Sequence, residues 1–73
     1  MKYIVVEIQT SADGTVGNLV SSYDSRNAAE SAYHGILAAA AVSALPMHAA
    51  VLLTSEGSLI ENRYYEHEAE VAE

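Results

Sequence analysis

The sequence contains no cysteine, no tryptophan and no phenylalanine, and it has a single proline. Without cysteine the chain can form no disulfide framework and offers no thiolate ligand to a metal ion. A composition of this kind is typical of proteins in a reducing compartment. We therefore expect a cytoplasmic protein.

Basic residues are also scarce. Three Lys and Arg residues stand against ten Asp and Glu residues, and the net charge is −7. Because binding to phosphates requires clustered Lys and Arg, the scattered Lys2, Arg26 and Arg63 predict no direct binding to nucleic acid. The acidic residues are concentrated at the end of the chain. We expect a single domain over residues 1–66 and an acidic, flexible tail over residues 67–73.

A long hydrophobic run is missing as well, although the segment after Glu30 is uncharged. It is rich in alanine, it contains His34 and Ser43, and Pro46 ends it. A membrane-spanning helix needs about 20 predominantly apolar residues, so we expect no contact with a membrane. The segment is nevertheless too apolar for an ordinary surface helix, and it predicts a helix covered on more than one side.

The first part of the chain has the pattern of a β-hairpin. In residues 2–10, Ile4, Val6 and Ile8 alternate with Tyr3, Val5, Glu7 and Gln9, as expected for a strand. Asp13-Gly14 is a strong hairpin signal because both residue types tolerate a positive φ angle. Residues 15–23 then form the expected return strand.

A second hairpin is expected after the uncharged segment. Residues 47–54 are almost continuously apolar, which is typical of a central strand covered on both faces. Residues 55–58 contain Gly57 and form a turn, and residues 59–66 form the last strand.

The segment between the two hairpins predicts one helix. Asp24 or Ser25 is the expected N-cap, and the helix should run over residues 25–44 because Pro46 disfavours helical geometry just before it. A 3.6-residue period predicts one apolar face toward the core, made of Ala29, Tyr33, Ile36, Leu37, Ala40 and Ala44.

The order β-β-α-β-β predicts an α+β fold. If the chain returns beside its first strand, four strands form an antiparallel sheet in the order 2-1-3-4, with the helix on one face. This arrangement places the two most apolar strands in the centre, so pattern and topology agree.

Two segments resemble a group of small uncharacterised proteins encoded in bacterial prophages and mobile elements. They are EIQT-ADGTVGNLV in the first hairpin and LAAAAVS-LP-H-AVLL in the helix and third strand. The resemblance covers nearly the whole chain. It implies an intracellular, accessory or structural protein of a phage-related locus, and it brings no activity and no site residues.

A second resemblance is to antitoxins of the HicB type. Met1-Lys2-Tyr3, Asp13-Gly14 and Ala28-Ala29-Glu30 fit that outline. The proline-glycine-cysteine stretch before the helix and a DNA-binding extension are missing from this sequence. The resemblance implies, as an alternative, a regulator that binds a small protein partner.

Residues for enzymatic chemistry or metal binding are not arranged in a recognisable motif. Glu30 and His34 are four residues apart, but a lone pair of this kind is usually a weak surface contact. None of His34, His48 and His67 has a partner that completes a recognisable ligand motif, so we expect no metal and no cofactor. The serines lack the G-x-S-x-G pattern of a nucleophile elbow, and those near the helix start are expected to form caps and turns. We therefore predict no catalytic residues and no enzymatic activity.

The tyrosines suggest a surface for a protein partner. We place Tyr3 and either Tyr64 or Tyr65 on the outer face of the sheet, where an aromatic patch could bind an unknown protein.

The uncharged helix predicts self-association, most simply as a homodimer. Small residues on the side away from the core allow two helices to approach closely, and a chain of this size has a small core of its own. The expected interface residues are Ser31, Gly35, Ala38, Val42 and Leu45. The competing contact is the outer face of the sheet, which we assign to Tyr3, Val5 and Leu52.

Overall fold

The computed structural model describes residues 2–67. It contains β1 (Tyr3–Thr10), β2 (Val16–Tyr23), α1 (Arg26–Ala41), β3 (Met47–Thr54) and β4 (Leu59–Glu66). The four strands form one antiparallel sheet in the order β2-β1-β3-β4, and α1 packs on one face of it. The predicted α+β fold and strand order are confirmed.

Glycine at a positive φ angle closes both hairpins. Gly14 has φ 90° and donates its amide to the carbonyl of Ser11 at 2.9 Å. Gly57 has φ 93° and donates to the carbonyl of Thr54, also at 2.9 Å. A residue with a Cβ rarely adopts this backbone conformation, so the two glycines fix where each chain reversal occurs.

The helix begins where the sequence predicts and ends earlier. Ser25 is the N-cap, and its Oγ accepts from the amide of Ala28 at 3.1 Å. The helix ends at Ala41 and not at the predicted Ala44. The amides of Val42 and Ser43 bond to carbonyls only three residues back, and this tighter closure ends the regular α-helical pattern.

The core lies between α1 and the two central strands. The helix contributes buried Ala29, Tyr33, Leu37 and Ala40, as predicted. Ile36 is half-buried and packs against this cluster, whereas Ala44 lies beyond the helix and is exposed. Small side chains on the helix let it lie close to the sheet.

The predicted assignment of Tyr3, Val5 and Leu52 to the outer face is wrong. Val5 and Leu52 pair across β1 and β3 and are 2% and 0% exposed, and Tyr3 packs against the same core cluster. The set of alternate residues in β1 that faces the helix is the more polar one, because it includes Glu7 and Gln9. The sequence alone therefore does not distinguish the two faces of the sheet.

The prediction that β3 is covered on both faces is also wrong within the described residues. Burial alternates along the strand: His48, Ala50 and Leu52 are buried, and the intervening residues are half-buried. The helix covers one face, and none of the elements formed by residues 2–67 covers the other. The chain therefore contains more apolar sheet surface than its own helix can bury.

His67 follows the last strand and is bonded to the body of the domain. Its amide donates to the carbonyl of Pro46 at 2.8 Å, and its Nε2 donates to the carbonyl of Ala40 at 2.8 Å. The sequence assigns His67 to the flexible tail, but the contacts attach it to the end of α1. The rest of the predicted tail lies outside the described residues. No helix in the described part of the chain is long and apolar enough to cross a bilayer.

Candidate interaction surfaces

The face of the sheet opposite the helix, here called the outer face, is mainly apolar. Strand pairing arranges it in four rows, each with one residue from every strand. Directly paired residues share a face, so the register defines the rows, with one irregularity between β3 and β4 at Leu52 and Leu53 that leaves Ile60 without a partner. In the order β2, β1, β3, β4, they are Ser22-Ile4-Leu53-Leu59, Val20-Val6-Val51-Asn62, Asn18-Ile8-Ala49-Tyr64 and Val16-Thr10-Met47-Glu66.

The apolar side chains of the outer face are accessible to solvent. On the edge strands, Val16, Val20, Leu59 and Tyr64 are each more than half exposed. The residues of β1 and β3 are half-buried, because neighbouring side chains in the sheet shield one another. A contiguous exposed apolar patch of this size is typical of an interaction site.

Charged residues of the strands lie mostly on the helix side of the sheet. Glu7 pairs with Ala50, Glu61 with Leu52, and Arg63 with Ala50 from the other side, so all three share the face of the core. Glu66 is the single charged residue in the four rows of the outer face, and it occupies a corner. This distribution is the reverse of the usual one, in which the open face of a sheet carries the polar residues.

The exposed side of the helix is less apolar than the outer face. We call Ser31, Gly35, Ala38 and Val42 the helix stripe; all four are exposed. A Cβ built on Gly35 would meet no atom within 4 Å. Leu45 was predicted to belong to this surface, but it lies in the loop after the early helix end and is half-buried. Val42 is thus the one large apolar side chain of the helix stripe.

The predicted aromatic patch on the outer face does not form. Tyr3 and Tyr65 both pack against the core on the helix side. Tyr64 is on the outer face and 56% exposed. Among the residues of the four rows it is the one aromatic side chain.

A carboxylate and an imidazole meet on the helix side of the sheet. Nε2 of His48 donates to Oε2 of Glu7 at 2.6 Å, and the side-chain Nε2 of Gln9 donates to the same oxygen at 2.9 Å. The His48 side chain is 6% exposed and that of Glu7 18%. The two hydrogen bonds hold the pKa of Glu7 below its usual value, with the His48 bond as the largest cause, although burial acts in the opposite direction.

This pair has one unused nitrogen. Nδ1 of His48 is buried and has no hydrogen-bond partner among the described residues. A substrate would need access to that nitrogen, and the buried position does not provide it. The geometry therefore favours a role of the pair in folding. The sequence does not reveal the pair, because the partners are 41 positions apart and only the register of β1 and β3 joins them.

An open groove of about 630 Å³ lies between α1 and β4. Its lining includes His34, Glu61, Arg63 and Tyr65, and the guanidinium carbon of Arg63 is 5.2 Å from the centre of the Tyr65 ring. Since Glu61 and Arg63 carry opposite charges, the groove does not favour ligands of one sign.

The three histidines occupy separate environments. His34 is exposed on the helix, His48 is buried beside Glu7, and His67 contacts the helix end. Within residues 2–67 no group of three or more His, Cys, Asp or Glu side chains is placed to hold a metal ion.

A comparison of the chain with protein-family models, with curated proteins and with solved structures finds no match.

Proposed function

We propose that this chain is a small, non-enzymatic interaction protein that self-associates and serves as a cytoplasmic accessory or structural component of a phage-related locus. One observation carries the self-association: the helix covers one face of the sheet, and the opposite face is mainly apolar and is not covered by residues 2–67. The phage-related setting rests on the sequence resemblance alone.

The size of the domain supports the same proposal. A chain of 73 residues buries only about 60% of the surface that its unfolded form exposes, so its core is small. The largest fully buried side chains are Leu52 and Val5. A second apolar face left in water would add nothing to this stability, whereas contact with another molecule would bury it.

Light scattering coupled to size-exclusion chromatography tests the self-association. We expect the mass of a homodimer at micromolar concentration and a decrease toward the mass of one chain on dilution. A mass of one chain across the whole concentration range would contradict the proposal.

The alternative is an antitoxin-like regulator that binds a small protein. The net charge of −7 supports it, because an acidic chain attracts a basic partner electrostatically. The test is co-expression with the product of the neighbouring gene, where that product is short and basic. A stable complex of one chain with the other, in place of the homodimer, would favour the alternative.

A further inference from the structure

We infer that two copies of this chain pack outer face against outer face and form a sandwich of two sheets, with both helices on the outside. The inference rests on the proposed self-association and names the surface that performs it. Sheets stacked in this way lie about 10 Å apart, and their side chains interdigitate.

The distribution of polar residues on the outer face is that of an interface with an apolar centre and a polar rim. The two central strands contribute apolar side chains at every position of the four rows except Thr10, which is at the end of its strand. Polar residues are otherwise confined to the edge strands, at Ser22, Asn18, Asn62 and Glu66. Specific interfaces show this arrangement of an apolar core and a solvent-accessible rim.

The charges of the strands favour the same surface. Glu7, Glu61 and Arg63 all lie on the helix side of the sheet. In an antiparallel sheet with one solvent-exposed face, charged residues usually lie on that exposed face. Glu7 accepts hydrogen bonds from His48 and Gln9 on that side. Apart from Glu66 at one corner, the outer face thus carries no charge that would oppose its burial.

The area is sufficient for a dimer. Four strands about 4.8 Å apart, with eight residues at about 3.3 Å each, give a flat face of about 500 Å². Two copies would then bury about 1,000 Å², and the corrugated side chains increase this value to the range of specific interfaces.

The surface can also pair with itself without repulsion between charges. A twofold axis between the sheets, parallel to the strands, places β1 of one copy over β3 of the other. Glu66 then lies over the opposite edge strand, and the two Glu66 carboxylates are separated by the width of the sheet. The second copy is therefore an occupant that fits both the apolar centre and the charged corner.

The helix stripe offers less to a partner. Its side chains are small, and Val42 is the one large apolar group in it. The edge strand β2 is a second competitor, because its eight residues are uncharged and mostly exposed, and edge strands can pair between chains.

Three substitutions with the same added charge separate these surfaces. Val51→Glu places a carboxylate at the centre of the outer face, Gly35→Glu places one on the helix stripe, and Ala12→Glu places one at the exposed tip of the first turn as a control. The readout is the dissociation constant from sedimentation velocity. We expect Val51→Glu to raise it at least about tenfold, because a buried unpaired charge is costly, and the other two to change it little.

A further variant keeps the test valid if Val51→Glu does not fold. Val20→Glu introduces the charge at a position of the outer face that is already 63% exposed in the single chain. Circular dichroism checks that each variant is folded. We expect Val20→Glu to weaken the dimer in the same direction.

The outcomes distinguish the inference from the proposed function. If the wild-type protein is a monomer at all concentrations, both are overturned. If it is a dimer that Gly35→Glu dissociates and the two outer-face variants do not, self-association stands and the helix stripe replaces the outer face. If all variants remain dimeric, the outer face is again excluded, and the edge of β2 becomes the surface to examine.

Discussion

Glu7 is a carboxylate in a strand whose neighbours are mostly apolar, and its environment stabilises the charged form. His48 donates to it at 2.6 Å and Gln9 at 2.9 Å, and the His48 bond is the largest cause of its lowered pKa. Hydrogen bonds to an ionised acceptor are stronger than those between neutral groups. The pair thus compensates for placing a charge on the core side of the sheet.

The pH dependence of stability should report on Glu7. A carboxyl group whose pKa is lowered by folding stabilises the protein above its unfolded pKa, and this contribution is lost as the pH falls through the lower, folded pKa. The free energy of unfolding should therefore decrease below about pH 4.5, the ordinary pKa of the group. Glu7→Gln should make the decrease less steep, as measured by urea unfolding at fixed protein concentration. Asp13 and Asp24, whose pKa values are also lowered, remain in the variant as a common background. Parallel pH profiles for the two proteins would contradict this assignment.

The sequence could not predict the pair between Glu7 and His48. Alternation placed Glu7 on one side of β1 and an apolar pattern placed His48 at the start of β3, but neither pattern contains the register between the strands. A shift of one residue would have put the two side chains on opposite faces. The register is therefore the information that was missing.

At the scale of the elements, the helix end is held by a residue from beyond the last strand. Nε2 of His67 donates to the carbonyl of Ala40, which also accepts from the amide of Ser43 just after the end of α1. The amide of His67 also fixes the chain to Pro46. These contacts connect β4 to the loop between α1 and β3.

His67→Ala should lower the free energy of unfolding by about 1 kcal/mol, the usual contribution of one hydrogen bond. Truncation after His67 should leave the melting temperature nearly unchanged, because the glutamates that follow repel one another and the small side chains between them have little apolar area. Thermal unfolding of the two variants beside the full chain measures both effects. A drop of several degrees on truncation, or no effect of His67→Ala, would show that this account of the chain end is wrong.

The elements themselves were largely predictable. The bounds of β3 and β4 are those expected from the sequence, since Pro46 and the turn at Gly57 define them. The helical period predicted all four buried residues of the helix, Ala29, Tyr33, Leu37 and Ala40. The helix end was not predictable, because the amides of Val42 and Ser43 form their shorter hydrogen bonds without any residue that signals them.

At the scale of the whole molecule, the fold has two layers. The described residues offer three surfaces to a partner: the outer face of the sheet, the helix stripe and the edge strand β2. The sequence predicted the strand order because two hairpins flank one helix. It predicted self-association from the uncharged helix, but the structure shows that the outer face of the sheet is the larger apolar surface. The helix packs against the more polar side of β1, which carries Glu7 and Gln9, so the alternation along β1 does not predict which side becomes the core.

The stability of the whole molecule should not depend on a metal ion. Cysteine is absent from the sequence, and the described part of the chain has no suitable cluster of ligands. Thermal unfolding with and without a chelator should give the same melting temperature. A clear decrease with the chelator would contradict this expectation.

The most direct test of the central claim is the intermolecular nuclear Overhauser effect in a sample that mixes isotope-labelled and unlabelled chains. Isotope filtering retains only contacts between the two copies. We predict such contacts for the methyl groups of Val6 and Val51 at the centre of the outer face, and none for the methyl groups of Ala38 and Val42. Contacts that involve the helix residues, or no intermolecular contacts in a sample shown to be dimeric, would contradict the pairing of the two sheets.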